Sequence, residues 1–199
     1  MSELPDFPIC ILAGGASRRF GSNKALALLG GKPIVRHVID RIKPQSNGPI
    51  AINANSDDGL AELGLAIIPD TKWNGEGPLA GLANALAWTS EMKASEVVTV
   101  ALDLPFLPLD LVSRLAVTGS PSITASGDQT HPVNGIWKAG QLDALEAYLQ
   151  SGRRSAHGWA KECKASVTSF EKAANGIDPF LNVNTPEDLA KAEAMLKGG

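Results

Sequence analysis

The sequence has 199 residues, of which 44% are hydrophobic, enough for one large domain with a substantial core. Its 18 lysines and arginines are outnumbered by 21 aspartates and glutamates, which gives a net charge of -3 and argues against nucleic-acid binding. Two cysteines form no disulfide framework, and no apolar run approaches the roughly 18 residues that span a bilayer. The opening MSELPDFP is not a signal peptide. We therefore expect a soluble cytoplasmic protein, a single domain over residues 1–199, with no nucleic-acid or membrane partner.

Apolar runs and helical patterns alternate along the first part of the chain. In chain order they predict a strand at 7–13, a helix at 32–42, strands at 49–55 and 65–70, a helix at 78–94, a strand at 96–105 and a helix at 108–117. Because these strands are apolar along their length and alternate with helices, they indicate a largely parallel sheet covered by helices on both faces.

The pattern is weaker after about residue 120. It predicts strands at 122–125, 133–137, 166–170 and 180–183, and helices at 140–150 and 184–197. The last helix has a clear start, because Thr185 can cap it, Pro186 suits its first turn, and Asp188 stands at the reciprocal capping position.

Polar residues follow the predicted strands of the first half. A glycine-rich loop follows the first strand, Asn53 and Asn55 follow the second, Asp70 follows the third and Asp103 follows the fourth. In such sheets ligands bind outside the carboxyl ends of the strands. We therefore expect a ligand site at this edge.

The loop after the first strand lies in the segment LAGGASRRFGSNKAL, residues 12–26. It fits neither the Walker pattern nor the dinucleotide fingerprint. Glycines let backbone N–H groups approach an anion closely, and Arg18, Arg19 and Lys24 add three cations. A triphosphate would neutralise them. The alternative is a solvated surface loop with ordinary basic residues.

Two carboxylates stand at strand ends. Asp103 follows the buried run VVTVAL, where an unpaired charge is costly. Mg²⁺ bound to a nucleotide phosphate is one fitting partner, since Mg²⁺ takes one or two carboxylates plus phosphate oxygens. The alternative for Asp103, and for Asp70, is a carboxylate that caps the next turn.

The chain resembles the molybdenum cofactor guanylyltransferases. The resemblance rests on an ordered set of segments from about residue 9 to 195: LAGGASRRFGSNKAL, INAN, DTKWNGEGPLAGLANAL, ALDLPFLPLDLVSRL, HPVNGIW and FLNVNTPEDL. It implies a three-layer Rossmann-like nucleotidyltransferase fold with a mostly parallel, mixed central sheet. The implied reaction joins GMP from GTP to the terminal phosphate of molybdopterin or Mo-molybdopterin and releases pyrophosphate. Other cofactor-assembly proteins or molybdoenzyme chaperones are the further partners that it implies.

The resemblance also implies roles for individual residues. Catalysis would involve Arg19, Lys24 and Asp103, with Asp103 as the Mg²⁺ ligand. The implied nucleotide contacts are Leu12, Ala13, Gly14, Gly15, Lys24, Asn53, Asp70 and Asp103. The implied molybdopterin contacts are Arg153, Arg154, Asn182 and Asn184. The sequence departs from the family pattern at Phe20, where methionine is usual, and at Leu104, where some relatives have a small polar residue.

Other functions remain open at this stage. A molybdopterin cytidylyltransferase, or a sugar-phosphate or isoprenoid-precursor nucleotidyltransferase, would share the glycine loop, although the second glycine of Gly14-Gly15 favours a purine. A non-catalytic nucleotide-binding protein could keep the fold, but it would not need both Lys24 and Asp103. Arg153 and Arg154 could simply be solvated charges at a helix start, and His131 is interpreted as a loop residue.

Overall fold

A computed structural model describes residues 4–13, 24–55, 59–70, 72–73, 75–173 and 176–197. Its strands are β1 (Ile9–Leu12), β2 (Leu28–Leu29), β3 (Lys32–Pro33), β4 (Ile50–Asn53), β5 (Ala66–Ile68), β6 (Glu96–Ala101), β7 (Ser122–Ser126), β8 (Gln129–Lys138) and β9 (Ser166–Phe170). Its α-helices are α1 (Ile34–Ile42), α2 (Pro78–Glu91), α3 (Leu111–Thr118), α4 (Leu142–Gln150), α5 (Ala156–Glu162) and α6 (Pro186–Lys197).

Seven strands form one sheet in the order β5-β4-β1-β6-β8-β7-β9, and β2 and β3 form a separate hairpin. Neighbouring strands from β5 to β6 run parallel, as do β7 and β9, whereas β8 runs antiparallel to β6 and β7. This mixed, mostly parallel sheet confirms the predicted fold class.

Two apolar clusters lie on opposite faces of the sheet. Alternate residues of β1 point to opposite faces, as the pleat of a strand requires: Ile9 and Ile11 pack in one cluster with α1 and α3, and Cys10 and Leu12 pack in the other with α2, α4 and α5. Burial raises the pKa of the Cys10 thiol to about 12, so this side chain is a buried, inert hydrophobe. Helices on both faces complete the three layers.

The predicted strand at 180–183 is wrong, since this segment has irregular backbone. Its apolar residues serve two separate clusters rather than one strand face. Phe180 packs under the sheet with α1 and α3, while Val183 packs against the β2–β3 hairpin and α6. His131, interpreted from the sequence as a loop residue, lies in β8 and is buried.

Candidate active site

The site lies at the end of β1, where the strand order switches: β4 and β5 lie on one side of β1, and β6 lies on the other. β1 pairs in parallel with β4 on one side and β6 on the other, so that Leu12 lies opposite both Asn53 and Ala101. The backbone N–H of Ala13 donates to the carbonyl of Asn53 at 2.9 Å, and that of Leu102 donates to the carbonyl of Leu12 at 3.2 Å. The ends of these three strands are therefore held level, at the edge where parallel sheets bind ligands.

One side of this edge carries a lysine–aspartate pair. Lys24 Nζ lies 2.7 Å from Asp103 Oδ2, and the two side chains are only 13% and 19% exposed. Lys24 Nζ also donates to Asn184 Oδ1. The structure thus brings together three residues predicted from the sequence, one from each of three distant segments.

The segment that contains Asn184 is anchored on both sides. The backbone N–H of Val183 donates to the carbonyl of Asp103 at 3.0 Å. The N–H groups of Asn184 and Thr185 each donate to Asp188 Oδ2 at 3.0 Å, and Asp188 N–H donates to Thr185 Oγ1 at 3.1 Å. This confirms the predicted reciprocal cap of the last helix. Partial burial opposes the charged form of Asp188, but the hydrogen bonds from Asn184 and Thr185 outweigh it and lower its pKa.

The other side of the edge carries Asp70, which accepts hydrogen bonds from three asparagine amides. Asn53 Nδ2 and Asn84 Nδ2 donate to Oδ1 at 2.9 and 2.7 Å, and Asn55 Nδ2 donates to Oδ2 at 2.9 Å. Asn55 Oδ1 accepts in turn from the backbone N–H of Asp70 at 3.1 Å. We call these three amides the amide socket. Charge-assisted hydrogen bonds of this kind fix a carboxylate in position.

Asn53 is completely buried, so its side chain contributes to the site through its hydrogen bond to Asp70 and not through an exposed surface of its own. Its Nδ2 also donates to the carbonyl of Ile68 at 3.0 Å, which leaves Oδ1 facing α2. Within the described residues, Oδ1 has no hydrogen-bond partner. A Cβ at Gly81 would lie 2.6 Å from this oxygen, so α2 can approach β4 this closely only with glycine at that position.

The two arginines predicted to contact molybdopterin have different surroundings. Arg153 pairs with Glu162 at 3.0 Å, and its guanidinium carbon lies 4.0 Å from the ring centroid of Tyr148. Arg154 instead reaches across to Glu76, in the segment between β5 and α2, and its hydrogen bond lowers the pKa of that carboxyl. Arg154 is therefore the arginine of the pair that faces the sheet edge.

A further polar cluster lies at the same edge of the sheet, on β7 and β8. The Ser126 hydroxyl donates to Asp178 Oδ2 at 3.0 Å and lies 2.8 Å from His131 Nε2. Since that hydroxyl has one proton to donate, His131 Nε2–H is the donor in the second contact. The imidazole stacks on Phe180, with centroids 4.7 Å apart. Burial lowers the pKa of His131, with Asp178 opposing the shift and His157 adding to it.

A metal ion at this site would need ligands from the bound nucleotide as well as from the protein. Within the part of the chain that the structure describes, no three carboxylate, imidazole or thiol groups lie close enough to hold an ion. Asp103 offers one carboxylate, which fits Mg²⁺ if phosphate oxygens and water supply the other ligands.

Three predicted site residues, Gly14, Gly15 and Arg19, lie outside the described residues. Asn182 is exposed beside the segment that anchors Asn184. The residues that sequence reasoning missed are Asn84 and Gly81, both on α2. A polar residue within the apolar run PLAGLANALA was the available signal for Asn84.

Comparison with known proteins decides the family. Residues 9–165 match the MobA-like NTP transferase domain. The chain is 39% identical to the molybdenum cofactor guanylyltransferase of Rhizobium meliloti (strain 1021), over 200 residues that cover 95% of this chain and 91% of that protein. It is 38% identical to the one from Nitrobacter hamburgensis (strain DSM 10229 / NCIMB 13809 / X14), over 209 residues and 99% of both chains.

The chain belongs to the molybdenum cofactor guanylyltransferase family. Membership confirms the resemblance seen in the sequence and makes this chain a nucleotidyltransferase.

The fold of this guanylyltransferase family member also resembles a solved structure. The molybdopterin-guanine dinucleotide biosynthesis protein A from Archaeoglobus fulgidus superimposes with a TM-score of 0.73 over 97% of this chain and 100% of that one, at 22% identity. At that identity the likeness concerns the fold alone. Among the described residues, no helix has the length and apolarity that a membrane span requires. The cytoplasmic location stays a prediction.

Proposed function

We propose that this protein transfers GMP from GTP to the terminal phosphate of molybdopterin, or of Mo-molybdopterin, to form the guanine dinucleotide cofactor. The observation that carries this proposal is the near full-length identity of 38–39% to curated molybdenum cofactor guanylyltransferases. We also propose that residues 1–199 form one nucleotidyltransferase domain, because one sheet contains strands from Ile9 to Phe170.

The reaction needs no side-chain nucleophile. An oxygen of the molybdopterin phosphate attacks the α-phosphorus of GTP, a new P–O bond forms, and the bond from the α-phosphorus to the bridging oxygen of the β-phosphate breaks. Pyrophosphate leaves with that electron pair. Catalysis therefore consists of positioning the two substrates and neutralising charge.

Lys24 is the proposed phosphate-binding cation. Its ammonium group is held at the sheet edge by Asp103 and Asn184, and a lysine acts on phosphate as a compact point charge. Arg19 is proposed to add a second cation from the glycine loop, and the backbone of Leu12, Ala13, Gly14 and Gly15 is proposed to line the nucleotide.

Asp103 is the proposed Mg²⁺ ligand. Bound with the nucleotide, Mg²⁺ would withdraw charge from the phosphate oxygens. The pairing of Lys24 with Asp103 supports this proposal, because it holds an ionised carboxylate and a cation together next to the first strand. When phosphates enter, Lys24 can exchange the carboxylate for phosphate oxygens without leaving the site.

Asp70 is the proposed contact to the guanine base. The amide socket takes three of the four acceptor positions of the carboxylate, and the position left on Oδ2 can accept from the 2-amino group of guanine. Adenine has no 2-amino group, and cytosine presents its O2 acceptor at the equivalent position. The amide socket supports this role because it fixes the carboxylate of Asp70 before a base arrives.

The molybdopterin side is proposed to include Arg154, Arg153, Asn182 and Asn184. Arg154 supports this best, because its guanidinium lies beside the segment that leads from Asp70 to α2. Cofactor-assembly proteins or molybdoenzyme chaperones are proposed as partners that deliver or receive the labile pterin.

The test is a pyrophosphate-release assay with purified protein, molybdopterin and either GTP or CTP, with and without Mg²⁺. We expect Mg²⁺-dependent turnover with GTP and formation of the dinucleotide, checked by chromatography of the product. Turnover with CTP alone would overturn the guanine assignment, and full turnover in a chelator would overturn the Mg²⁺ assignment.

A further inference from the structure

We infer that Asn84 is a positioning residue that sets the preference for guanine by holding the carboxylate of Asp70. The inference rests on the proposed function, because it takes Asp70 as the group that faces the base. Asn84 itself would not touch the nucleotide.

The socket is built from three elements, and each supplies one amide. Asn53 ends β4, Asn55 follows it in the loop, and Asn84 lies one and a half turns into α2. Asn84 gives the shortest of the three contacts, 2.7 Å from Nδ2 to Asp70 Oδ1. Through Asn84, the helix layer therefore fixes the carboxylate of Asp70 at the edge of the sheet.

Asn84 is a costly residue at its position unless its amide is used. It is 7% exposed and lies among apolar neighbours of α2 that pack on the sheet. A buried amide without hydrogen bonds destabilises the folded state, because it loses its hydrogen bonds to water. A leucine or alanine would suit the apolar face of the helix better, so the contact to Asp70 explains why an amide stands there.

Asn53 and Asn55 cannot replace this contact. Asn53 Nδ2 divides its protons between Asp70 Oδ1 and the carbonyl of Ile68. Asn55 bonds to the other carboxylate oxygen, Oδ2. Without Asn84, the carboxylate is held by two amides instead of three, Asn53 on Oδ1 and Asn55 on Oδ2, so its orientation is less restricted. A less restricted carboxylate presents the open position of Oδ2 to the guanine 2-amino group for only part of the time.

The consequence is measurable with a base that lacks one donor. Hypoxanthine, the base of ITP, keeps N1–H but has no 2-amino group. A fixed carboxylate distinguishes GTP from ITP, because a site built for a hydrogen bond discriminates strongly against the analogue that lacks it. A carboxylate that is held less firmly loses most of that distinction.

The experiment compares wild-type protein with Asn84→Leu, which removes the amide and keeps a side chain branched at Cγ with the same number of non-hydrogen atoms. Ser90→Ala, at an exposed position of the same helix, is the matched control. We expect Asn84→Leu to raise the KM for GTP by about 10-fold with kcat within about two-fold, and to lower the GTP/ITP ratio of kcat/KM by about 10-fold, as expected for one lost hydrogen bond to a charged group. Ser90→Ala should change neither.

Asn84→Asp is a second variant with a readout that a structural role would not produce. It places a second carboxylate against Asp70, so the pair has to share a proton. We expect its KM for GTP to rise from about pH 5.5 to about pH 8, while the wild-type KM changes much less.

An unchanged GTP/ITP ratio in Asn84→Leu would overturn the inference even if the melting temperature fell, because that is the pattern of a merely structural residue. A ratio that changes for GTP against 2′-deoxy-GTP instead would place Asp70 on the ribose and overturn it as well. If wild-type protein turns over neither GTP nor ITP, the proposed function fails first, and this inference fails with it.

Discussion

Lys24 and Asp103 form an ion pair, Nζ to Oδ2 at 2.7 Å, between the loop after the first strand and the loop after β6. The pair is mostly buried at the very edge where the proposed phosphates would arrive. A cation that already has a carboxylate partner avoids the cost of a lone buried charge. The substrate phosphate then replaces the Asp103 carboxylate as the anionic partner of Lys24, and the charge of the ammonium group stays compensated.

Asp103→Asn should leave the protein folded and abolish Mg²⁺-dependent product formation. The amide can still accept a hydrogen bond from Lys24, but it supplies no charge to a metal. We expect kcat to fall by at least about 100-fold, the size seen when one preorganised electrostatic group is removed. Product formation measured against Mg²⁺ concentration, with circular dichroism for folding, checks this.

Asp110→Asn is the matched control for that variant, since Asp110 is exposed just before α3 and its carboxylate forms a long pair with Arg114 at 3.7 Å. It should keep wild-type activity. If Asp103→Asn also kept it, Asp103 would have no role as a metal ligand.

Gly81→Ala should weaken the nucleotide site and the fold together. The added methyl would lie 2.6 Å from Asn53 Oδ1, so Asn53 or α2 has to shift, and Asp70 loses its fixed position. Overpacking of this kind costs about 1–3 kcal/mol, which urea unfolding measures, and the KM for GTP should rise. Gly140→Ala, where a Cβ meets no atom within 4 Å, should be near neutral. Equal effects at the two glycines would show that close packing at Gly81 is unimportant.

His131 should make stability depend on pH. Because burial lowers its pKa below the ordinary 6.5, the unfolded chain takes up a proton at a higher pH than the folded one. Its stabilising contribution is therefore complete above about pH 6.5 and is lost as pH falls from there toward the lowered value. Urea unfolding at about pH 8 and about pH 5.5 should show a smaller loss in His131→Gln than in wild type. The same loss in both proteins would contradict the buried neutral imidazole.

Arg154→Met should weaken binding of molybdopterin and spare binding of GTP. Arg154 faces the segment between β5 and α2, whereas Arg153 is held by Glu162 and Tyr148. Loss of a charge-assisted contact to a phosphate corresponds to about a 10-fold or greater rise in the KM for molybdopterin. Steady-state kinetics with each substrate varied in turn tests it. Arg153→Met should have the smaller effect, and the opposite ranking would reverse the two roles.

The sequence predicted the elements whose signals are local. Strand β1, the buried strand β6 and the capped helix α6 follow from apolar runs and from the spacing of Thr185 and Asp188. The placement of Asn53, Asp70 and Asp103 at one edge followed from strand order alone, because parallel strands end at the same edge.

Contacts between distant segments could not be predicted in this way. The hydrogen bond from Lys24 to Asn184 joins residues 160 positions apart, and no local pattern in either segment predicts this contact. The contact of Asn84 with Asp70 is of the same kind, because the pattern of α2 shows which face is buried but not what that face meets. The irregular segment 180–183 resembled a strand, since a short, mostly apolar run cannot show that Phe180 and Val183 enter different clusters.

The contact between Lys24 and Asn184 has a consequence for protein synthesis. When a nascent chain has emerged from the ribosome as far as β8, it already contains the six strands that lie side by side from β5 to β7. Lys24 still lacks its hydrogen bond to Asn184, because Asn184 comes later in the chain. The Lys24 contact is therefore completed only after Asn184 has emerged, 46 residues after β8 ends at Lys138 (184 − 138). Translation therefore delivers the strands of the sheet before the residue that completes the hydrogen bonding of Lys24.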